Sequence, residues 1–464
     1  MKQVYLDTFG CQMNVADTDR MELLLFHSGY VRTGEVKEAD LVLINTCSIR
    51  DKAEQKIYSL AKNLKPLKES NPDMILGFTG CLAQQEGERF LDKMPFVDLV
   101  IGPDGVEHIV QIIDEVKKKK VSVVRTEFDT DTNYKIPELY GKTPLNPGPS
   151  TFVNIIKGCD KFCTFCVVPF TRGREKSREA EEIEQEVRLL VSRGVREIVL
   201  LGQNVNAYGK RGLKRPVPFH ELLYRIASIS GLKRLRFMTS HPKDFTSECI
   251  SAYRDIDILV NHLHLPVQSG NNRILKEMRR MHTIEEYISV IDELKMVVPD
   301  IALSTDIIVG YPGESEAEFE DTLALMEKIK FNNSYMFSYS SRPNTPAQDF
   351  PDTVPQSMKS DRLQRTIELQ KRLTLEQGKK FVGREVEVLV ENESFKADAD
   401  FRGRSAQYWS VHFTGDKRLI SAGDMVKVIV EEALGHVLKG RGVLMKENEK
   451  LETGKLKKFE LTIQ

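Results

Sequence analysis

Short apolar runs alternate with longer amphipathic stretches over the first 125 residues of the chain. The stretches between the runs have the length and periodicity of crossover helices. The runs have the apolar character of buried strands, and they span Val4–Phe9, Asp40–Asn45, Met74–Thr79 and Val97–Gly102. This alternation predicts a flavodoxin-like α/β domain with a parallel sheet over residues 1–125.

The alternation resumes after residue 150 and continues through six strand-sized runs. They are Phe152–Ile156, Glu197–Leu201, Arg234–Met238, His262–Val267, Ile301–Val309 and Asn333–Tyr339. Six successive βα units predict a partial (β/α)6 barrel over residues 151–353. Barrels built from such units place their chemistry at the carboxyl ends of the strands.

The remaining segments have other patterns. Residues 126–150 are rich in proline and predict a linker, whereas residues 354–377 are polar and predict a helical connector. Short strands separated by glycines then predict a small, OB-like β-barrel over residues 378–447, with strands at Glu385–Val390, Tyr408–Phe413 and Met425–Glu432. Residues 448–464 form a charged tail without an interpretable motif.

Composition limits the possible classes of function. The 464 residues are 41% hydrophobic and include 67 basic and 68 acidic side chains, so nucleic-acid binding requires local patches rather than a global charge. No stretch is long and apolar enough to span a bilayer, which predicts no membrane partner. Seven cysteines without an apolar N-terminal segment indicate a reducing, cytoplasmic location.

Six of the seven cysteines fall into two sets of three. Cys159, Cys163 and Cys166 have the spacing C-x3-C-x2-C in a loop after an apolar strand, and three thiolates can hold an iron–sulfur cluster that leaves one iron open. A structural zinc site is the alternative, but it needs a fourth ligand, and no histidine or further cysteine lies near this loop. Cys249, on a predicted helix, is interpreted as a packing residue.

The other set follows the first three predicted strands. Cys11, Cys47 and Cys81 each stand where a parallel strand ends, and ligands gather outside the carboxyl ends of such strands. The three thiols should therefore converge on one crevice and hold a second cluster. The alternative is that they are three separate buried cysteines acting as small hydrophobic residues.

These motifs together resemble the radical S-adenosylmethionine (SAM) methylthiotransferase family over nearly the whole chain. The matching stretches are Thr8–Asn14, Asn45–Cys47, Gly80–Cys81, Ile156–Cys166, Leu201–Asn206, His264–Gly270 and Thr305–Glu314. The resemblance implies a radical SAM core and a C-terminal TRAM domain. One departure is Asn344, where the family usually has glycine, and asparagine tolerates left-handed dihedrals.

The resemblance also implies cofactors and roles. Two [4Fe–4S] clusters on the six cysteines would act in catalysis, with one SAM as methyl donor and a second as radical source, so that the substrate gains a methylthio group. Gly202, Gln203 and Asn204 would receive the methionine amino group. The remaining implied SAM contacts are Phe165 beside the cluster, Gln268 and Ser269 at the ribose, and Gly310 at the adenine.

The substrate implied is tRNA. The Gly202–Asn206 sequence resembles the branch that modifies carbon 2 of N6-isopentenyladenosine beside the anticodon. The branches acting on N6-threonylcarbamoyladenosine and on a ribosomal-protein aspartate remain alternatives, as does a non-catalytic iron–sulfur protein that binds RNA. The family further implies an electron donor such as flavodoxin or ferredoxin, a possible cluster-repair protein, and a monomer.

Local charge and aromatic residues bear on RNA binding. Residues 157–178 carry six basic and two acidic side chains, a surplus that can bind either RNA phosphates or the SAM carboxylate. The candidates for RNA contact are Arg172, Arg174, Arg178 and, in the small barrel, Arg404. Barrel aromatic residues either stack on bases or pack in the core; they are Phe401, Tyr408, Trp409 and Phe413.

Overall fold

The computed structural model describes residues 1–48, 51–128, 146–396 and 398–443, with only the backbone described at 51–53. The predicted tail at 448–464 and most of the predicted linker at 126–150 lie outside these residues. The chain divides into two compact units, Met1–Gln370 and Lys371–Gln464. No helix in the described part of the chain has the length and apolarity needed to cross a membrane.

The first unit begins with a six-stranded parallel sheet in the order β2-β1-β3-β4-β5-β6. Its strands are β1 (Lys2–Thr8), β2 (Tyr30–Arg32), β3 (Leu41–Thr46), β4 (Ile75–Gly80), β5 (Leu99–Ile101) and β6 (Val123–Arg125). The helices among them are α1 (Gln12–His27), α2 (Asp51–Ser70), α3 (Cys81–Glu86), α4 (Glu88–Lys93) and α5 (Ile109–Lys119). This arrangement confirms the predicted α/β domain, and it adds the short edge strands β2 and β6.

Both faces of this sheet are covered by apolar residues. Leu41 and Leu43 of β3 pack into one hydrophobic cluster, and the alternate residues Val42 and Ile44 pack into another. All six residues of β3 are buried. Burial on both faces explains why the central strands form uninterrupted apolar runs in the sequence.

Six further parallel strands form the open barrel predicted for the central segment. They are β7 (Ser150–Asn154), β10 (Glu197–Leu201), β11 (Arg234–Phe237), β12 (His262–His264), β13 (Ala302–Val309) and β14 (Asn333–Ser338). They pair as β11-β10-β7 and β12-β13-β14. A parallel bridge from Leu235 of β11 to Leu259, just before β12, connects the two groups of strands. The two-stranded ribbon of β8 (Ile156–Lys157) and β9 (Lys176–Ser177) encloses the segment that contains Cys159, Cys163 and Cys166, which is called the core loop below.

The helices of this segment lie between its strands in the sequence, or directly after them. They are α6 (Val168–Thr171), α7 (Ala180–Ser192), α8 (Phe219–Ala227), α9 (Ser247–Asp255), α10 (Asn272–Glu277), α11 (Ile284–Val297) and α12 (Glu316–Ile329). Two of them begin at a capping box, Thr283 with Glu286 and Ser315 with Glu318, which satisfies the first free amide groups of each helix. These caps fix where α11 and α12 start.

The second unit contains a closed five-stranded barrel in the order β15-β16-β17-β19-β18. Its strands are β15 (Glu385–Glu393), β16 (Phe401–Ser405), β17 (Ser410–Thr414), β18 (Met425–Leu434) and β19 (Val437–Val443). Phe401, Trp409 and Phe413 are buried in its core, so the packing interpretation holds for these three aromatic residues. Arg404 stacks on the fourth, Tyr408, with 4.4 Å from its guanidinium carbon to the ring centroid.

Helix α13 (Gln356–Lys379) occupies the position of the predicted connector. Arg362 on its first half is 1% exposed and donates to a carboxylate oxygen of Glu314, which is 0% exposed, at 3.0 Å. One turn further along, the 35% exposed side chain of Arg365 pairs with Glu316 and Glu320. The same helix thus carries ion pairs in both environments, buried at Arg362 and at the surface at Arg365.

We expect Arg362→Ala to lower the free energy of unfolding by about 3–5 kcal/mol, because it leaves the Glu314 carboxylate buried without its cation. Arg365→Ala is the matched control and should cost less than about 1 kcal/mol, since its pairs lie in solvent. Thermal unfolding followed by circular dichroism measures both changes. Equal falls in melting temperature for the two variants would contradict this difference.

Candidate active site

The N-terminal set, which consists of Cys11, Cys47 and Cys81, lies at the carboxyl edge of the N-terminal sheet. Cys11 follows β1 and caps α1, Cys47 follows β3, and Cys81 begins α3 directly after β4. Gly10 has φ +118°, and a β-carbon there would stand 2.5 Å from the Cys47 β-carbon. Only glycine allows the Cys11 and Cys47 loops to approach this closely.

Two buried asparagines connect these loops. The Asn14 amide nitrogen donates to the carbonyl oxygens of Phe9, at 2.8 Å, and of Thr46, at 2.9 Å. Its amide oxygen accepts from the Cys11 thiol at 3.7 Å, and its backbone carbonyl accepts from the Asn45 amide at 2.8 Å. Asn14 therefore holds the Cys11 loop against the residue that precedes Cys47.

The core set, which consists of Cys159, Cys163 and Cys166, lies in the loop between β8 and α6. Gly158 has φ +74°, and a β-carbon there would collide with the Arg174 carbonyl oxygen at 2.1 Å. The Cys159 amide donates to the Gly173 carbonyl at 3.1 Å, and the Cys166 amide donates to the Cys163 carbonyl at 3.0 Å. These contacts fold the loop so that its three thiols interact electrostatically with one another.

Burial keeps several of these thiols protonated in the absence of metal. It raises the pKa of Cys159 and of Cys166 to about 12, and the neighbouring Cys163 thiol adds to both shifts. Burial also raises the pKa of Cys81. Metal binding reverses this preference because a bound cation stabilises the thiolate directly.

A cavity of about 330 Å³ joins the two cysteine sets. Its walls include eleven residues predicted as site residues: Cys11, Cys81, Cys159, Cys163, Cys166, Phe165, Arg172, Gly202, Gln203, Asn204 and Gln268. Cys47 is outside this lining, although the next residue, Ser48, belongs to it. Ser269 and Gly310 also lie outside it: the Ser269 hydroxyl accepts from the Asn271 amide, and Gly310 packs against Lys359.

Polar atoms in the cavity wall fit a polar ligand. The oxygen and nitrogen of the Gln203 amide are both buried without a hydrogen-bond partner among the described residues, as are the Ser48 and Ser240 hydroxyls. A buried amide without partners is costly, so a ligand that bonds to Gln203 is favoured. The cavity thus has room and hydrogen-bonding capacity for SAM beside the core set of cysteines.

The chemistry of both donor sets, three cysteine thiols in each, fits an iron–sulfur cluster. Within the described ranges, no group of three or more His, Cys, Asp or Glu side chains is placed to hold one metal ion. A cluster distributes its thiolate ligands over several irons, so they need not converge on one point.

The structure places further polar residues in the cavity wall that sequence patterns did not single out. Arg280 donates to the Cys163 thiol at 3.6 Å and to the Pro266 carbonyl at 2.7 Å. Asp306 lies 3.5 Å from a ring nitrogen of the buried His264, whose other ring nitrogen contacts Ser304 at 2.9 Å. Asp306 lies within a matched stretch, whereas Arg280 lies in a turn without a motif.

The candidates for RNA contact occupy different environments. Arg172 and Arg178 are each 5% exposed and form internal ion pairs with Asp17 and Glu186, at 2.7 and 2.8 Å. Neither is therefore a solvent-exposed group, and contact of either residue with RNA stays a prediction. Arg174 and Arg404 remain partly exposed, with side-chain values of 57% and 36%; each pairs with a carboxylate, Asp160 or Glu391.

Three family models match the chain: the Radical SAM superfamily at residues 153–326, Uncharacterized protein family UPF0004 at residues 3–102, and the TRAM domain at residues 379–443. The chain is 42% identical to the tRNA-2-methylthio-N(6)-dimethylallyladenosine synthase of Clostridium botulinum (strain Okra / Type B1), over 95% of this chain and 97% of the relative. It is also 42% identical to the synthase of the same name from Thermoanaerobacter sp. (strain X514), over 94% and 92%.

Solved structures support the fold. The radical S-adenosylmethionine methyltransferase TsrM from Kitasatospora setae, solved with cobalamin and a [4Fe–4S] cluster, superposes with a TM-score of 0.55. The match covers 75% of this chain and 77% of that chain at 13% sequence identity. At this identity the likeness concerns the fold alone.

Proposed function

Because this chain belongs to the family of the tRNA-2-methylthio-N(6)-dimethylallyladenosine synthases, we propose that it adds a methylthio group to carbon 2 of N6-dimethylallyladenosine beside the tRNA anticodon. N6-dimethylallyladenosine is another name for N6-isopentenyladenosine. The observation that carries this proposal is the single cavity lined by cysteines of both sets. A reaction that joins radical chemistry to sulfur transfer requires both sets to face one substrate.

Cys159, Cys163 and Cys166 would hold a [4Fe–4S] cluster, as the radical SAM family implies. When bound, the cluster and SAM supply the radical that attacks an unactivated carbon–hydrogen bond. The apolar part of the wall, which includes Phe165 and Ile308, excludes water from that radical. The guanidinium of Arg280 donates to the Cys163 sulfur at 3.6 Å and so orients that ligand.

The second cluster is a proposal supported by the N-terminal set. Cys11 and Cys81 line the cavity, and Gly10 brings Cys47 next to the Cys11 loop. A cluster held there would carry or supply the inserted sulfur across the cavity from the radical site. Its position at the carboxyl edge of a parallel sheet is the usual place for a bound ligand in such folds.

The remaining partners follow from this chemistry. Cleaving SAM consumes an electron, so we propose an electron donor such as flavodoxin or ferredoxin. Loss of sulfur at each turnover calls for a cluster-repair protein. We propose that the enzyme acts as a monomer, and that it works in the cytoplasm, where its tRNA substrate is found.

The substrate can be tested with purified, reconstituted protein under reducing, anaerobic conditions. We expect tRNA bearing N6-dimethylallyladenosine to gain a methylthio group, whereas tRNA bearing N6-threonylcarbamoyladenosine and the ribosomal protein should not. Mass spectrometry of digested products measures all three. Modification of either alternative substrate in preference to the first would overturn the proposed specificity.

Gln203→Ala should weaken SAM binding about tenfold, because it removes a buried amide that has no hydrogen-bond partner in the described part of the protein. Equilibrium binding of SAM to the cluster-loaded enzyme measures the effect. Gln364→Ala is the control, since that exposed glutamine bonds to Glu368 on α13. Unchanged SAM affinity in Gln203→Ala would remove this residue from the SAM site.

A further inference from the structure

One cation of the radical SAM core is buried among residues of the N-terminal domain. Arg172 follows α6, only six positions after Cys166 in sequence, yet its side chain reaches α1. One guanidinium nitrogen donates to the Asn14 amide oxygen at 2.8 Å and to the Asp17 carboxylate at 2.7 Å. Only 5% of the residue is exposed, so solvent screens its charge weakly.

The same guanidinium lies beside two ligands proposed for the second cluster. It lines the same cavity as Cys11 and Cys81, and its positive charge acts on both thiols. Arginine does not lose its proton in proteins, so this charge is permanent. A fixed positive charge next to thiolate ligands stabilises the more negative state of whatever they bind.

Arg172 is also linked to the bridge that holds the cysteine loops together. Asn14 accepts from both Arg172 and the Cys11 thiol through its amide oxygen, while its amide nitrogen holds the Thr46 carbonyl. The core loop therefore contacts the Cys11 and Cys47 loops through one shared side chain. The contact joins residues 158 positions apart in sequence.

We propose that Arg172 is a positioning residue that sets the electrostatic environment of the N-terminal cluster from the radical SAM core. This inference rests on the proposed second cluster. Reduction adds one electron to a cluster, and a nearby buried cation favours the reduced form. Replacing Arg172 with a neutral residue should therefore make the N-terminal cluster harder to reduce. Replacing the paired carboxylate of Asp17 should make the cluster easier to reduce.

The test uses the full chain with Cys159, Cys163 and Cys166 replaced by alanine, so that only the N-terminal cluster is observed. Arg172→Gln, Arg172→Lys and Asp17→Asn are added one at a time to this background. Chemical titration followed by the EPR signal of the reduced cluster gives each reduction potential. We expect a shift to more negative potential for Arg172→Gln, a smaller shift for Arg172→Lys and a shift to more positive potential for Asp17→Asn.

The outcomes separate this inference from the proposed function. If the background protein binds no iron after reconstitution, the proposed second cluster fails. If it binds the cluster and Arg172→Gln leaves the potential unchanged, the role of Arg172 is overturned while the second cluster stands. If Arg172→Gln does not fold, Asp17→Asn decides: a positive shift supports the inference, and an unchanged or more negative potential overturns it.

Discussion

Replacing Cys159, Cys163 and Cys166 with alanine should abolish SAM cleavage, so that 5′-deoxyadenosine formation falls to the background of a reaction without enzyme. The reason is that these three thiols are the proposed ligands of the cluster that delivers the electron to SAM. Their loop lines the same cavity as the Gln203 amide, which has no hydrogen-bond partner among the residues that the structure describes. Liquid chromatography with mass spectrometry of anaerobic reactions measures the product directly.

Cys249→Ala is the matched control for this loss. Cys249 is buried on α9 and is not among the residues that line the cavity, so its removal should leave cleavage near the unmodified rate. Retained cleavage in the triple variant would mean that these cysteines do not hold the radical-generating cluster. Loss of cleavage in Cys249→Ala as well would show that the assay reports stability rather than chemistry.

Replacing Cys11, Cys47 and Cys81 with alanine should have a different effect: SAM cleavage continues, but no methylthio group reaches the tRNA. The N-terminal set is proposed to carry sulfur, whereas the core set is proposed to generate the radical. The two sets come from separate sequence segments and different sheets, so the core loop can keep its fold without the other cluster. Parallel assays of 5′-deoxyadenosine and of methylthiolated nucleoside separate the two functions.

Equal loss of cleavage in both triple variants would contradict this division of labour. Methylthiolated product formed without the N-terminal cysteines would contradict it from the other side, because the sulfur would then have another source. Iron content of each reconstituted variant provides the control. Each should lose only the iron that its own cysteines hold.

Sequence patterns predicted most of the fold because the central strands are buried on both faces. Glu197–Leu201 was predicted at its observed bounds, and β13 differs from its predicted run only at the first residue. Six strands were missed for physical reasons, including the ribbon strands β8 and β9, which have only two residues each. The edge strands β2 and β6 have three residues each, too few for a periodic signal, and β16 and β19 combine glycine with charged residues.

The cysteine sets could be predicted because their spacing and their position after strands reflect local chain geometry. The charge of the core loop could not be interpreted in the same way. Its surplus of basic residues is matched by carboxylates remote in sequence: Lys157 pairs with Asp104, and Lys161 pairs with Asp244, both at 2.7 Å. Pairing between residues remote in sequence is visible only in the tertiary structure, so the sequence alone indicated a basic patch.

Local backbone requirements were predictable at another site. Asn344 replaces the usual glycine of the family, and it adopts φ +66°, in the left-handed region that asparagine tolerates. By contrast, the cavity residue Arg280 has no such signal. Its role depends on the Cys163 thiol, which is 117 positions away in sequence.

The most direct test of the proposed function is mass spectrometry of nucleosides from bulk tRNA. The host should lack its own tRNA methylthiotransferase, and samples are compared with and without expression of this chain. We predict that N6-dimethylallyladenosine is replaced by its 2-methylthio form when the chain is expressed. Unchanged tRNA nucleosides, in cells that contain a protein able to cleave SAM, would contradict tRNA methylthiolation as its function.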